Sequence, residues 1–297
     1  MGTSVCEGMG MKVLVTGASG SVGRAVVEGL LAAGVGVRAL TRDVARADLP
    51  AGVEVVAGDL TELASVDAAL EGVERMYLFP VPATARQVVA AAERAGVRRI
   101  VTLSSGAVSA GYDTVHHLPV EQAVEAAGVE WTHVRPGEFA MNKVALWGPD
   151  IRAARVVRHP APEAVWCPVH EQDIADVAVT ALLEGGHHGV AHTLNGPPIS
   201  LRDQARALAS ALGQEIRFEK VTPQQARRRY REQGGFAAAA ADFLLGFVDY
   251  AGNPTDPHAM AHFDLTAFGP QPTVHDITGA TPRTFAQWAR DHAADFH

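Results

Sequence analysis

The sequence predicts an α/β fold, in which a doubly wound parallel sheet is joined to a smaller, mainly helical C-terminal lobe. Two observations carry this prediction. Between residues 11 and 139, short apolar runs of strand length alternate with longer segments whose apolar side chains recur at helical spacing. Strands that alternate with such helices form βαβ units, and the strands of these units pair in parallel. From Ser200 onward, the apolar residues recur mainly at helical spacing.

The predicted elements follow one another regularly along the chain. The apolar run KVLVTG is a buried strand, and the helix that follows it ends at Gly34. Further strands are predicted at GVRALTR, VEVVAGDL, RMYLFP, RRIVTLSS and EWTHVRPGEF, with helices at DAALEGV, TARQVVAAAERAG and LPVEQAVEAAG. We therefore predict one domain at residues 11–140, to which residues 166–198 return, and a second lobe from residues 141–165 and 199–297.

The composition restricts the class of protein. A chain of 297 residues that is 47% hydrophobic and 20% charged is typical of a folded globular protein. The net charge of −8 argues against nucleic acid as a direct partner. Cys6 and Cys167 lack metal-ligand spacing and cannot form a disulfide framework, so we expect no metal site. Since no apolar run approaches the ~20 residues of a membrane span and the N-terminus lacks a signal-peptide pattern, we expect a cytoplasmic protein without a membrane partner.

The strongest motif is VLVTGASGSVGRAVV, in which Gly17, Gly20 and Gly23 follow a predicted strand and open a predicted helix. In a dinucleotide-binding turn, the first glycine permits the tight turn and the second lets the backbone approach the pyrophosphate. The third glycine lets the helix pack against the strand, and the helix N-terminus stabilises the anion. The motif therefore predicts a bound dinucleotide.

The end of the second predicted strand distinguishes between the two nicotinamide cofactors. NAD enzymes carry Asp or Glu there to accept from the ribose 2′-OH, whereas this chain has Thr41 followed by Arg42. A guanidinium matches a 2′-phosphate, so NADP(H) is favoured over NAD(H). If the neighbouring Asp43 points toward the ribose instead, NAD(H) is the better partner. Asp59 ends the third strand, where it either accepts from the adenine amino group or is a simple turn aspartate.

Several segments together resemble the NmrA-like atypical short-chain dehydrogenase/reductases. These segments are TGASGSVG, TR, GDL, GVRRIVTLSS, GVEWTHVRPGEFAMN and VHEQDIADVAVTALL, and they cover most of Met11 to Pro198. The family includes NADPH-dependent quinone and azo-dye reductases, isoflavone-reductase-like enzymes and non-catalytic NADP-sensing regulators. The resemblance implies a Rossmann sheet, a nicotinamide cofactor, and a substrate cleft between the sheet and the second lobe, which would bind the substrate. Because one fold hosts many functions, it does not determine the reaction.

The resemblance also implies which residues contact the ligands. The pyrophosphate would lie on Gly17, Ser19, Gly20, Ser21, Val22 and Gly23. The adenosine end would lie on Arg42, Asp59, Leu60, Phe79 and Pro80, and the nicotinamide end on Ser104, Ser105 and Gly137. Glu138, Asn142 and Trp147 are the expected substrate contacts.

The Tyr-x-x-x-Lys dyad of the wider superfamily is absent. Counting back from Gly128, His117 stands at the lysine position and Asp113 at the tyrosine position. Three alternatives stay open for the proton that accompanies hydride transfer. Tyr112, His116 or His117 could donate it, since imidazole titrates near neutrality. Lys143 could replace the missing lysine, or a flat quinone-like acceptor could take its proton from water, with positioning alone supplying most of the effect.

These observations predict a reductase that transfers hydride from NADPH to a small aromatic or conjugated substrate, such as a quinone, an enone or a biosynthetic intermediate. A non-catalytic NADP(H) redox-sensing regulator is one alternative, and the missing dyad favours it. An isomerase or cyclase on the same fold is another. A homodimer is the default assembly for such folds.

Overall fold

The computed structural model describes residues 10–249, 252–262, 264 and 273–297. Cys6 lies outside the described residues. The chain divides into two compact units, and the interpretation of one as a cofactor domain and the other as a substrate lobe stays a prediction. The first unit contains Met1–Pro136, Glu171–Thr193 and Asp276–Gly279, and the second contains Gly137–His170, Leu194–His275 and Ala280–His297.

The strands and helices are numbered along the chain. The strands are β1 (Lys12–Thr16), β2 (Gly36–Thr41), β3 (Glu54–Ala57), β4 (Arg75–Leu78), β5 (Arg99–Leu103), β6 (Glu130–Pro136), β7 (Glu138–Phe139), β8 (Val156–His159), β9 (Val165–Trp166), β10 (Pro168–Val169), β11 (Val190–Leu194), β12 (Ile199–Ser200) and β13 (Arg217–Lys220). The helices are α1 (Ser21–Ala32), α2 (Leu63–Leu70), α3 (Ala85–Arg94), α4 (Gly106–Ser109), α5 (Leu118–Glu125), α6 (Asn142–Ala154), α7 (Glu171–Leu183), α8 (Leu201–Leu212), α9 (Pro223–Gln233), α10 (Gly235–Leu244), α11 (Val274–Thr278) and α12 (Phe285–Asp291).

A seven-stranded sheet in the order β11-β6-β5-β4-β1-β2-β3 forms the first unit. Strands β1 to β6 pair in parallel, with Lys12 opposite Gly36 between β1 and β2, and Val13 opposite Arg75 between β1 and β4. The predicted doubly wound parallel sheet is therefore confirmed. After β3 the chain returns to the other side of β1, so the strand order reverses between β1 and β4. Ligands of open α/β sheets bind at such a reversal, beyond the carboxyl ends of the strands.

Helices cover the sheet because their apolar stripes need a surface to pack on. The buried stripe of α1 includes Val22, Val26 and Leu30, and α1 packs on α7, where Gly29 lies against Val179. Helices α2, α3 and α5 pack on one another in a second group. The central strands β1, β4 and β5 are buried after their first residue, as expected for a parallel sheet that is covered on both faces.

The second unit is mainly helical, as predicted, and its core surrounds Trp288, Phe296 and Tyr230. Threonine capping boxes begin α9 and α12 at Thr222 and Thr284. The unit also contains the two-stranded pairs β7–β10, β8–β13 and β9–β12, none of which was predicted. Strands of two residues, such as β7, β9, β10 and β12, are too short to leave a periodic pattern in the sequence. Within the described ranges, no helix is both long and apolar enough to cross a membrane.

Candidate functional site

The turn after β1 has a backbone conformation and packing that require glycine. Gly17 has a φ of +64°, and a Cβ on it would lie 3.0 Å from the Phe79 ring. A Cβ on Gly23 would lie 2.2 Å from the Gly17 carbonyl oxygen, closer than atoms can approach. The first turn of α1 therefore lies directly against the turn, and only glycine allows this approach.

The N-terminus of α1 is free of side-chain caps. The helix begins at Ser21 after an extended Gly20, and no described side chain accepts from its first N–H groups. The Gly20 N–H donates to the Gly17 oxygen at 3.0 Å, which closes the turn. Uncapped N–H groups at the positive end of a helix suit a phosphate. The residues present therefore fit the pyrophosphate of a dinucleotide, with Gly17, Ser19, Gly20, Ser21, Val22 and Gly23 as the predicted contacts.

The Thr16 hydroxyl links the carboxyl ends of the neighbouring parallel strands β1 and β4. Its hydroxyl donates to the Tyr77 carbonyl at 3.0 Å and accepts from the Phe79 N–H at 2.7 Å. Phe79 is thereby held next to Gly17 with 43% of its surface exposed, while Pro80 is buried. Both residues lie at the predicted carboxyl edge.

At the carboxyl ends of β2 and β3, three charged residues differ in their contacts. Arg42 is exposed, whereas the Asp43 carboxylate accepts from the Arg46 N–H at 3.2 Å and lies 3.5 Å from the Arg46 guanidinium. Asp59 Oδ1 accepts from the Thr61 N–H and hydroxyl, both at 2.8 Å. These two hydrogen bonds, with a smaller contribution from the charge of Arg42, lower the pKa of Asp59. Asp59 thus has the contacts of a turn aspartate, and next to it Leu60 is buried.

Ser104 and Ser105 follow β5, and both hydroxyls are engaged within the protein. The Ser104 hydroxyl is fully buried and donates to Glu121 Oε1 at 2.5 Å. The Ser105 hydroxyl accepts from the Ala107 N–H at 3.2 Å and caps α4. Their predicted contact with the nicotinamide ribose stays a prediction.

A buried network around Glu121 was not predicted from the sequence. Arg135 binds Glu121 through two hydrogen bonds, Nε to Oε1 at 2.8 Å and a terminal nitrogen to Oε2 at 2.5 Å. Burial raises the pKa of Glu121, but the hydrogen bonds from Arg135 and Ser104 outweigh it, so the pKa lies below its ordinary value. The available signal was the position of Glu121 on the apolar face of its helix, next to Val120 and Val124.

The loop before α5 joins two residues at the positions of the missing dyad. Asp113 is buried, and its Oδ2 lies 2.5 Å from Nδ1 of His117. Its Oδ1 accepts from the backbone N–H groups of His116 and His117 at 2.9 and 3.2 Å. The His116 ring meets the His117 ring edge-on, with 4.7 Å between the centroids. Tyr112, the other predicted candidate in this loop, is 55% exposed.

The remaining catalytic candidate and two predicted substrate contacts form one cluster in the second unit. Lys143 is 4% exposed, contacts Glu138 Oε1 at 2.5 Å and lies 4.6 Å from the centre of the Trp147 ring. Burial, together with the charge of Lys143, lowers the pKa of His159 to about 3. The contact with Glu138 balances the charge of Lys143 inside the protein. Asn142, the residue before Lys143, is the first residue of α6.

Gly137, a predicted cofactor contact, and Cys167, which was not predicted to belong to the site, also lie in the second unit. A Cβ on Gly137 would lie 2.4 Å from Asn195 Oδ1, so a side chain at this position would displace the Asn195 side chain. Cys167 is buried, and burial, with the charges of Glu138 and Asp264, raises the pKa of its thiol to about 11.

Comparison with known proteins identifies the family. Residues 17–185 match the family model described as NAD(P)H-binding. The (4-alkanoyl-5-oxo-2,5-dihydrofuran-3-yl)methyl phosphate reductase of Streptomyces griseus is 36% identical over 96% of this chain and 99% of its own. The chain is an NmrA-like, NAD(P)H-binding oxidoreductase. The resemblance of the sequence to this family is thereby confirmed, as is the expectation of an enzyme.

A second relative supports the assignment of this NmrA-like oxidoreductase, and a solved structure supports its fold. The NAD(P)H azoreductase of Xenophilus azovorans is 33% identical over 96% of this chain and 99% of its own. The NADPH-dependent quinone oxidoreductase of Escherichia coli superposes with a TM-score of 0.72 over 95% of this chain and 99% of its own, at 23% identity. At that identity the structural likeness shows the fold alone.

Proposed function

We propose that this protein is an NADPH-dependent reductase that transfers hydride to a small conjugated or aromatic acceptor, such as an enone or a quinone. The single observation that carries the proposal is the glycine turn against the uncapped N-terminus of α1. In such a complex the reduced nicotinamide supplies the hydride. The protein binds both reactants, orients them and excludes water.

The preference for NADPH rests on the charges after β2. Arg42 is exposed where a 2′-phosphate would lie, and the Asp43 carboxylate is turned to Arg46 within its own loop. The arrangement that would favour NADH, an Asp43 carboxylate directed at the ribose, is therefore opposed by the contacts of Asp43. A guanidinium binds a phosphate through two parallel hydrogen bonds, which supports NADPH over NADH.

The substrate class rests on the relatives. The name of the Streptomyces relative describes an oxo-dihydrofuran that carries an alkanoyl group, that is, a carbon–carbon double bond conjugated with carbonyls. An azoreductase acts on a nitrogen–nitrogen double bond. Both are electron-poor double bonds that accept hydride at one end and a proton at the other. We infer that this chain also reduces a double bond of this kind in a small molecule.

The test is turnover with purified full-length protein. We expect NADPH to be oxidised in the presence of unsaturated lactones, enones, quinones or azo compounds. Deuterium from C4 of the labelled nicotinamide should be recovered on carbon in the reduced lactone or enone. NADH should support a lower kcat/KM than NADPH. NADPH binding without consumption of any acceptor would instead indicate a redox-sensing regulator. An altered product with unchanged cofactor would indicate an isomerase or cyclase.

A further inference from the structure

The segment between β5 and α5 lies at the same edge of the sheet as the glycine turn. Strands β5, β4 and β1 are neighbours, so the segments that follow them leave the same carboxyl edge. A helix that connects two parallel strands runs antiparallel to them and begins near that edge. His117 immediately precedes α5, and Asp113 lies four residues earlier. Both residues are therefore on the side of the sheet where ligands of α/β folds bind.

Asp113 fixes the orientation and the tautomer of His117. Burial raises the pKa of Asp113, but the hydrogen bonds from His117 and from the backbone N–H groups of His116 and His117 outweigh it, so the pKa is lowered. Asp113 is therefore an ionised acceptor, and Nδ1 of His117 must carry a hydrogen toward it. Nε2 is left as the reactive nitrogen of the ring. It accepts a hydrogen bond when the ring is neutral and donates a proton when the ring is charged.

The Asp113 and His117 side chains differ in their exposure to solvent, and a pair that transfers protons to a substrate requires this difference. The Asp113 side chain is 1% exposed and the His117 side chain is 19% exposed. The carboxylate is thus shielded from water, while part of the imidazole reaches the surface. Tyr112 and His116 are exposed, and Lys143 is paired with Glu138. His117 is therefore the candidate that the structure both orients and leaves accessible.

We propose that His117 is the catalytic acid of the reductase and that Asp113 is its positioning residue. This inference rests on the proposed function. The substrate receives a hydride at one end of its conjugated double bond, and the displaced electron pair moves to the other end or to the conjugated carbonyl oxygen. That atom takes the proton from Nε2 of the His117 imidazolium, which leaves a neutral ring. The ring regains a proton from water, so each turnover consumes one NADPH and one proton and saturates one double bond.

The charges around His117 determine how this step depends on pH. Burial lowers the pKa of His117, the carboxylates of Asp113 and Glu121 oppose this effect, and a charged His116 reinforces it, so that the pKa lies below its ordinary value. The imidazolium is then a minor form at neutral pH. The rate of a turnover limited by proton transfer should rise as the pH falls and level off below the pKa of His117.

The experiment compares two acceptors that differ in their need for a proton. An enone needs both a hydride and a proton, whereas a cationic triphenylmethane dye becomes neutral on receiving hydride alone. We expect His117→Gln to lower kcat for the enone about 100-fold and to change kcat for the dye by less than about threefold, with unchanged affinity for NADPH. Asp113→Asn retains an oxygen that can accept from the backbone N–H groups. It should lower enone turnover about tenfold and move the pH profile to lower pH, because the carboxylate that favours the imidazolium is gone.

The remaining outcomes distinguish a failure of the roles assigned to His117 and Asp113 from a failure of the proposed reductase activity. His275→Gln, an exposed histidine of the second unit, is the matched control and should leave both reactions unchanged. An unchanged enone rate and pH profile in His117→Gln would overturn the assignment. Equal losses with both acceptors, or a loss of NADPH affinity, would also overturn it, since they indicate a role in binding or folding. If the wild-type protein oxidises NADPH with neither of these acceptors nor with an unsaturated lactone, a quinone or an azo compound, the proposed function has failed instead.

Discussion

The segments that follow β1 and β5 leave the same edge of the sheet, but one depends on its backbone and the other on its side chains. The turn at residues 17–23 is built from backbone, and its shape depends on the absence of Cβ atoms at Gly17 and Gly23. The segment at residues 104–117 depends on its side chains: the Ser104 hydroxyl donates to Glu121, the Ser105 hydroxyl caps α4, and the Asp113 carboxylate contacts the His117 imidazole. A phosphate needs N–H groups that any sequence with the right glycines provides. Proton transfer needs particular side chains in particular contacts.

The largest expected effect tests the backbone side of this comparison. Gly23→Ala places a Cβ within 2.2 Å of the Gly17 oxygen, so the turn and α1 must move apart. We expect the affinity for NADPH to fall about 1,000-fold, or ~4 kcal/mol, measured by calorimetry. Gly185→Ala is the control, because a Cβ there meets nothing within 4 Å. Unchanged affinity in Gly23→Ala, with a normal melting temperature, would show that the turn does not bind the cofactor.

The next effect tests the side-chain network beneath the β5 segment. Glu121→Gln removes the buried charge that holds the half-buried Arg135, and breaking such an ion pair costs about 3 kcal/mol of unfolding free energy. Urea denaturation measures this loss. Glu28→Gln changes an exposed carboxylate on helix α1 of the same unit and should cost less than about 0.5 kcal/mol. Equal effects in both variants would mean that the network does not stabilise the fold.

A third effect concerns His133, which is fully buried and stacks on Trp131 with 4.6 Å between the ring centroids. Burial lowers the pKa of His133 from 6.5 to about 4. The unfolded chain therefore takes up the proton first, and stability is lost as the pH falls from 6.5 toward 4. At about pH 5 the loss from this residue is about 2 kcal/mol.

His133→Phe should reduce this acid-induced loss, because phenylalanine can stack on Trp131 but cannot titrate. The measurement is unfolding free energy at about pH 7 and pH 5 for both proteins. The variant should lose less stability between these two pH values than the wild type does. A pH dependence identical to that of the wild type would show that His133 does not titrate on unfolding.

The smallest effect tests cofactor choice. Arg42→Ala should raise the KM for NADPH about tenfold, or ~1.4 kcal/mol, and leave the KM for NADH nearly unchanged. Arg206→Ala, an exposed arginine paired with Asp203 in the second unit, is the control. If Arg42→Ala raises the KM for NADPH and the KM for NADH equally, Arg42 does not contact the 2′-phosphate.

The two segments also differ in how much of them can be predicted from sequence. Gly17, Gly20 and Gly23 form a local pattern between a strand and a helix, so the turn and the parallel sheet were predictable. Glu121 and Arg135 lie on different elements, and their contact depends on how α5 packs beside β6. The sequence places Asp113 and His117 at the positions of the missing dyad, yet their contact requires the loop conformation that also directs two backbone N–H groups at Asp113. The two-residue strands of the second unit escaped prediction because their pairing is entirely nonlocal.

The burial of Cys167 affects how easily electrophilic substrates can alkylate the enzyme. Enones and quinones are electrophiles that alkylate thiolates, and a reductase that binds them exposes its own cysteines to this reaction. With a pKa of about 11, Cys167 is a thiolate in only a minute fraction of molecules at neutral pH. The thiol is also shielded from solvent, with 2% of its residue surface exposed. The cysteine in the described part of the chain is therefore protected from the compounds that we propose the enzyme consumes.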